Sequence, residues 1–204
     1  IPGTPASVSL ISSTNKTITL TLNEQLLGVN KVGQQEPFGY CGNVVPLVTT
    51  RSVTNRCKNI AEKITSHFSL IGSNGIDLVI SKESIPYVVE VNPRFQGTLE
   101  CVERVFGINM VKDHVKTCLQ GKLPTIVKKN AVFCTRLILF APKRSVVPDL
   151  SVFEEVRDRP IPEVIVEKGE PVCSIVTEGA DRDSSLGKAR TISEPILESL
   201  QQRR

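Results

Sequence analysis

Tryptophan is absent from this 204-residue sequence, and aromatic residues make up only 4% of it. A core without large rings must rest on Val, Ile and Leu, which favours strands. Histidine occurs only at His67 and His114, and no two of the six cysteines (Cys41, Cys57, Cys101, Cys118, Cys134 and Cys173) form a CxxC pair. A zinc site is therefore not expected. A chain of this size and ordinary composition does not need disulfide staples, so buried thiols in a reducing cytoplasm are the expectation. No apolar run approaches the roughly 18 residues of a membrane span, and no secretory signal opens the chain; no membrane partner is expected. The excess of one charge over the other is also small. The net charge is +4, and the basic residues are scattered apart from Lys128-Lys129 and Arg203-Arg204. A nucleic-acid binder would gather them on one face, so no nucleic acid is expected, whereas a mild positive balance suits a small polyanion. The phosphate cradle GxxxxGK[ST] is missing. The first residue is Ile1, not Met, followed by Pro2-Gly3-Thr4-Pro5 and then at once by a strand. That reads as a cut through a larger protein, or as a chain whose preceding residues lie outside this numbering.

What is present is an ordinary globular balance, 40% hydrophobic and 23% charged. Alternation predicts a hairpin from Ser7–Ile11 and Thr17–Leu22 around the polar turn 12–16, with the second arm continuing through Asn23-Glu24-Gln25 on a face that alternation leaves undecided. A strand is expected within Phe38–Val48. Steps of three and four from Val53 to Phe68 predict an amphipathic helix closed by Gly72. Two strands, Gly75–Ile80 and Tyr87–Val91, come next. A helix with Leu99, Val102, Val105 and Phe106 inward should end at Gly107, and a third with Val111, His114, Val115 and Cys118 inward at Gly121. After Pro124 the texture changes to a strand over Val132–Phe140, a proline-punctuated stretch, short strands at Glu163–Glu167 and Val172–Thr177, and a final helix from Ser184. In that helix Leu186, Ala189, Ile192, Ile196 and Leu200 face inward, and Pro195 should kink or restart it with Ser193 as a cap. The expectation is an α+β chain divided into residues 1–124 and a smaller strand-rich domain over 125–204.

Chemistry concentrates in Gly75-Ile76-Asp77-Leu78-Val79-Ile80 and Tyr87-Val88-Val89-Glu90-Val91-Asn92-Pro93-Arg94. Side chains alternate along a strand, so Glu90 and Asn92 share a face and Asp77 points away from Ile76 and Leu78. The short connection implies antiparallel pairing, with Asp77 and Glu90 opposite or nearly so. Two carboxylates about 5 Å apart at Cβ repel and lose solvation. A hard divalent ion offsets this, and the Asn92 amide oxygen can join its oxygen donors. Pro93 ends the pairing and places Arg94 beyond the strand end, where a guanidinium suits a phosphate or acyl-phosphate oxygen.

This run, Glu90-Val91-Asn92-Pro93-Arg94 preceded by Gly75-Ile76-Asp77-Leu78-Val79, resembles the metal-binding hairpin of the ATP-grasp superfamily. Asn92-Pro93-Arg94-Phe95-Gln96-Gly97-Thr98, Pro5-Ala6-Ser7-Val8-Ser9-Leu10 and Tyr40-Cys41-Gly42-Asn43-Val44-Val45-Pro46-Leu47 are similar to its archaeal carboxylate–amine ligase-like branch, related to biotin carboxylase and carbamoyl-phosphate synthetase. The similarity spans roughly residues 1–120. It implies the C-terminal lobe of an ATP-grasp domain followed by a small C-terminal domain. It also implies ATP as cosubstrate, Mg2+ (or Mn2+) held by Asp77, Glu90 and Asn92, and Arg94 on phosphate or the activated substrate. Arg136, on the strand after 132, stands where the branch directs a basic residue toward substrate. The implied reaction joins a small carboxylate to an amine or similar nucleophile through an acyl phosphate; a homodimer is compatible with it. The family's phosphate-binding lysine and adenine-binding hinge would precede Ile1, so the isolated chain should bind ATP poorly. The alternative is a non-catalytic fragment or subunit, an interaction module that completes its site with another chain. Elsewhere, His67 and His114 read as packed or hydrogen-bonded structural residues, Cys101 as a buried thiol without an activating base, and Gly72-Ser73-Asn74-Gly75 as a turn.

Overall fold

The computed structural model describes residues 1–126 and 132–202; Lys128-Lys129 and Arg203-Arg204 lie outside them. Contacts divide the chain into two units, Ile1–Gln25 with Val45–Ala131 and Leu26–Val44 with Val132–Arg204. This grouping differs from a linear division at 124/125. Gly42 and Gly33 explain the exchange of 26–44. A Cβ on either would lie about 2 Å from a backbone oxygen, of Arg136 and Phe140 respectively, so only glycine lets this segment lie so close to that strand.

The first unit is built on an antiparallel sheet in the order β5-β4-β1-β2. Its strands are β1 (Gly3–Ser12), β2 (Thr17–Leu27, the unit ending within it at Gln25), β4 (Gly72–Ser81) and β5 (Pro86–Asn92). The predicted hairpin is β1–β2. One face carries Ala6, Val8, Leu10, Leu22, Ile76, Leu78 and Ile80, and α1 (Arg51–His67) lays Val53, Cys57 and Ala61 on it. The Thr50 side chain caps α1 by accepting from the Val53 amide at 3.3 Å. The helix ends at Phe68, four residues before Gly72, which instead starts β4.

Two further helices follow, α2 (Leu99–Phe106) and α3 (Met110–Gln120), closed by left-handed Gly107 and Gly121 as expected. The expected inner face of α3 is corrected. Met110 and Thr117 are buried, while Val111 and Val115 are about half exposed. The helix packs through Met110, His114 and Thr117, an i, i+4, i+7 stripe, because His114 accepts a hydrogen bond from the Ser73 amide at Nδ1, 2.9 Å away.

The second unit has the strand order β3-β6-β10-β8, from β3 (Tyr40–Val45), β6 (Phe133–Phe140), β10 (Pro171–Gly179) and β8 (Val156–Arg157). A separate two-stranded pair joins β7 (Ser145–Val146) to β9 (Ile165–Val166). Strands β6 and β10 are antiparallel with Arg136 opposite Val176 and Ile138 opposite Ser174. Leu137, Leu139 and Ile175 form the core with Leu186, Ala189, Ile196 and Leu200 of α4 (Arg182–Gln202). The inward face of α4 is as expected. Pro195 neither ends nor restarts it, and Ser193 is no cap; its hydroxyl donates to the Arg190 carbonyl at 2.6 Å. The carbonyl of Thr191, which Pro195 deprives of its amide partner, belongs to an exposed residue, where water can satisfy it.

Candidate functional site

Strand pairing builds a polar row across the first unit's sheet. Asn23 stands opposite Ser7, Ser7 opposite Asp77, and Asp77 opposite Glu90. The row grades from full burial at Asn23 (0% exposed) through half-buried Asp77 to exposed Glu90. It lies on the face away from α1, because Ile76 and Leu78, the neighbours of Asp77, point into the core. The expected opposition of Asp77 and Glu90 is therefore observed, and it depends on a β-bulge. From the turn the ladder runs Ile80–Pro86, Val79–Tyr87, Leu78–Val88, then skips a residue to reach Asp77–Glu90. Without that extra residue Asp77 would face Val89.

Asn92, 4% exposed, lies one step along. Its Nδ2 donates to Asp77 Oδ2 at 3.3 Å, and its Oδ1 accepts from Arg94 Nη2 at 3.0 Å. Arg94 also donates from Nη1 to the Phe95 carbonyl at 3.1 Å. The turn at Pro93 is fixed by Gln96, whose Nε2 donates to the carbonyls of Asn92 at 3.2 Å and Arg94 at 2.8 Å. Gly75, opposite Asn92, leaves room for that carboxamide; a Cβ there would lie 2.1 Å from it. Behind the turn, the Phe95 and His114 rings meet at 4.8 Å.

Burial pushes the Asp77 carboxyl above the usual aspartate range. The Glu90 charge raises it further, against hydrogen bonds from Gln25 and Asn92 and the attraction of Arg94. The site thus holds two opposed carboxylates that its own cation only partly offsets. Hard oxygen donors in this arrangement fit Mg2+ or Mn2+. Two carboxylates supply the charge, and the Asn92 oxygen can join once Arg94 releases it. Among the described residues no group of three or more His, Cys, Asp and Glu is placed to hold a metal ion, so this site offers two carboxylates and an amide oxygen only.

The face of Asn23 and Gln25, undecided from alternation, is the one that carries Asp77, to which Gln25 hydrogen-bonds; residues that sequence reasoning missed are Gln96, which anchors the turn, and Ser7 and Ser9. Asn23 Nδ2 donates to Ser9 Oγ at 2.9 Å and to Ser7 Oγ at 3.3 Å, and Ser9 Oγ meets Thr98 Oγ1 at 3.1 Å. Their signal was the polar alternation Ser7, Ser9 on β1 and Thr21, Asn23, Gln25 on β2, opposite in phase to the apolar residues. Of the two histidines, His114 bonds the Ser73 amide and His67 is exposed with its ring edge against Phe68; neither stands in the row. Cys101 is fully buried. In the second unit, Arg136 Nη2 donates to Asp158 Oδ2 at 2.6 Å.

The sequence model of the ATP-grasp domain family matches residues 1–98. An uncharacterized protein of Methanocaldococcus jannaschii is 31% identical over 139 residues, 68% of this chain and 34% of that protein; the chain thus spans about a third of its length. Among solved structures, phosphoribosylglycinamide synthetase from Anaerococcus prevotii superposes with a TM-score of 0.77 at 14% identity, over 98% of this chain and 53% of that one. L-amino acid ligase from Bacillus licheniformis gives 0.75 at 14% identity, over 95% and 53%. The biotin carboxylase domain of 2-oxoglutarate carboxylase from Hydrogenobacter thermophilus, in complex with MgADP, ADP and bicarbonate, gives 0.72 at 10% identity, over 98% and 45%. At these identities the structural likeness speaks for the fold. No described helix is long and apolar enough to cross a membrane.

Proposed function

Because the chain belongs to the ATP-grasp superfamily, we propose that it is the metal-hairpin portion of an ATP-dependent ligase that joins a carboxylate to an amine or similar nucleophile. The observation that carries this reading is the direct opposition of Asp77 and Glu90, with the Asp77 carboxyl pushed up by burial and by that neighbour. A carboxylate pair held at a cost in solvation and repulsion gains its compensation when a divalent ion arrives. The ion supplies charge neutralisation on transferring phosphate oxygens.

Asp77 and Glu90 would hold the ion, with the Asn92 amide oxygen as a further donor. Arg94, which now bonds the Asn92 oxygen, would stabilise charge developing on the phosphoryl group, and Gln96 keeps the turn that aims it. The substrate carboxylate oxygen attacks the γ-phosphorus, the bond to the β-phosphate oxygen breaks, and ADP leaves. The nucleophile's lone pair then attacks the acyl carbon, inorganic phosphate departs with the bonding electrons, and the nucleophile sheds its proton to solvent. Most of the work in such a transfer is positioning and charge stabilisation. We assign residues 1–124 to the ATP-grasp lobe and 125–204 to a small C-terminal domain, and Arg136 a role toward the substrate. The natural setting for this reading is the cytoplasm.

The test is ADP release by the intact protein over a panel of small carboxylates and amines, with Glu90→Gln alongside. The reading expects ADP formation that requires both partners and Mg2+, reduced at least 100-fold in Glu90→Gln. Undiminished turnover in that variant would overturn the role given to Glu90, and a folded protein that neither binds nor cleaves nucleotide would favour a non-catalytic module.

A further inference from the structure

A polar cavity of about 310 Å3 opens at one end of the first unit's sheet, between the β1–β2 turn and the end of α1. It lies on the face that α1 covers. Thr17, in its wall, stands opposite Ser12, and Thr19, opposite Leu10, gives its hydroxyl to Glu62 of α1. Asp77 belongs to the other face, opposite Ser7. The five steps of β1 from Ser7 to Ser12 span about 17 Å, so the cavity is separate from the metal hairpin. Its volume is at the small end of the range for ligand pockets.

Charge is sorted across this cavity. On the helix side are Glu62 and the last turn of α1, the negative end of the helix. Glu62 Oε1 accepts from Thr19 Oγ1 at 2.9 Å and lies 3.8 Å from Lys58 Nζ, a partly exposed i, i+4 pair that contributes little. Its Oε2 accepts nothing among the described residues. On the turn side is Lys16, exposed and without a carboxylate partner among the described residues. Hydroxyl-bearing Ser13, Thr17, Thr65, Ser66 and Ser69 complete the wall. Ser69 follows the α1 cap in left-handed backbone, φ 52°, where glycine is the usual residue. Asn74, 1% exposed, shares this face opposite Leu10. Its Nδ2 donates to Ser12 Oγ at 3.2 Å and to the Gly72 carbonyl at 2.8 Å, and its Oδ1 has no partner.

We propose that this cavity binds a small zwitterionic α-amino acid, its ammonium on Glu62 and the end of α1 and its carboxylate on Lys16, apart from the reacting groups at the metal hairpin. A simple anion would meet Glu62 and the negative helix end. A polycation would meet Lys16 and Lys58. A zwitterion answers both sides with charge-assisted hydrogen bonds, the strong kind. The helix side is also rich in acceptors. Thr65 already donates to the Ala61 carbonyl at 2.8 Å and Ser13 to the Lys16 carbonyl at 3.2 Å, so their oxygens remain as acceptors beside Glu62 Oε2, and an ammonium brings three N–H donors. The hydroxyl-bearing wall favours a short polar side chain over an apolar one.

The test is a titration of glycine, L-serine and L-asparagine into the chain, followed by the backbone amide resonances of residues 13–17 and 65–70. Ethanolamine and 3-hydroxypropionate, which are serine without its carboxylate and without its ammonium, serve as controls. L-serine or another of the three should shift these amides saturably, and each control should bind at least tenfold more weakly, the loss of one charge-assisted contact. Glu62→Gln keeps an acceptor for Thr19, and Lys16→Gln changes an exposed residue, so both are expected to fold, and circular dichroism checks it. Each should weaken amino-acid binding at least tenfold. Glu62→Gln should also erase the preference over 3-hydroxypropionate, and Lys16→Gln the preference over ethanolamine. No saturable shift from any of the three overturns the proposal. So does equal binding of either control, or an affinity unmoved in either folded variant. No nucleotide or metal is present and neither variant touches the Asp77 row, so both results leave the reading of the metal hairpin where it stands.

Discussion

Replacing Asp77 by Asn should stabilise the metal-free chain at neutral pH. Asp77 and Glu90 are directly opposed, which puts their charges roughly 6 Å apart by ordinary cross-strand geometry. Coulomb's law gives about 3 kcal/mol at an effective dielectric of about 20 and about 0.7 kcal/mol in water. Glu90 is exposed, so the lower end governs, and about 1 kcal/mol is expected. Asn keeps an acceptor for Asn92 and Gln25, so those hydrogen bonds need not be lost. For a chain of this length 1 kcal/mol corresponds to a rise in Tm of about 2–4 °C. The pH dependence follows from the raised carboxyl of Asp77. A group whose folded pKa lies above its unfolded value favours the fold while protonated, and that contribution is lost as pH rises through the folded pKa. The advantage of Asp77→Asn should therefore be near zero well below the aspartate range, grow as Asp77 ionises, and reach its full size by pH 7. High salt should shrink it. Thermal melts of both proteins from pH 3 to pH 8 in a chelating buffer provide the assay. A variant that is less stable at pH 7, or a difference that does not change with pH, would refute the reasoning.

Gly75→Ala should displace the Gln96 carboxamide, whose atoms lie 2.1 Å from a Cβ at that position. The two hydrogen bonds holding the Arg94 turn would go, at about 0.5–1.5 kcal/mol each, and Mg-nucleotide affinity of the intact protein should fall while its Tm moves by only a few degrees; unchanged affinity counts against the role given to Gln96. Thiol chemistry should single out Cys118, the one exposed cysteine of six. At pH 8 a disulfide reagent should titrate about one thiol per folded chain quickly, with Cys173, pushed up to about 12, unreactive until unfolding; rapid labelling of Cys173 would contradict the burial described.

The legible parts of the molecule were those governed by local period. Alternation located β1, β2, β4 and β5, and glycine located the ends of α2 and α3. The Asp77–Glu90 opposition was legible only as an approximate count about a turn. What aligns the pair is the bulge between Asp77 and Leu78, and no residue type there announces it. The face of Gln25 stayed undecided for another reason: alternation fixes which residues share a face but not which face meets the site, and that was decided by α1 covering Val8 and Leu10. The face of α3 was misjudged because Val111 and Val115 are apolar at helical spacing, yet His114 and Met110 set the rotation through long-range contacts. The passage of residues 26–44 into the second unit was hidden as well, since close approach of Gly42 to Arg136 is a tertiary fact.

Whether Asp77 and Glu90 take up a divalent ion is decided by titrating Mn2+ into the chain and into Asp77→Asn while following broadening of the Asn92 side-chain amide and the Val91 methyls. Saturable broadening at these groups, reversed by excess Mg2+ and lost in Asp77→Asn, is expected. Equal broadening in both proteins, or none at Asn92 while other acidic surface residues respond, would contradict it.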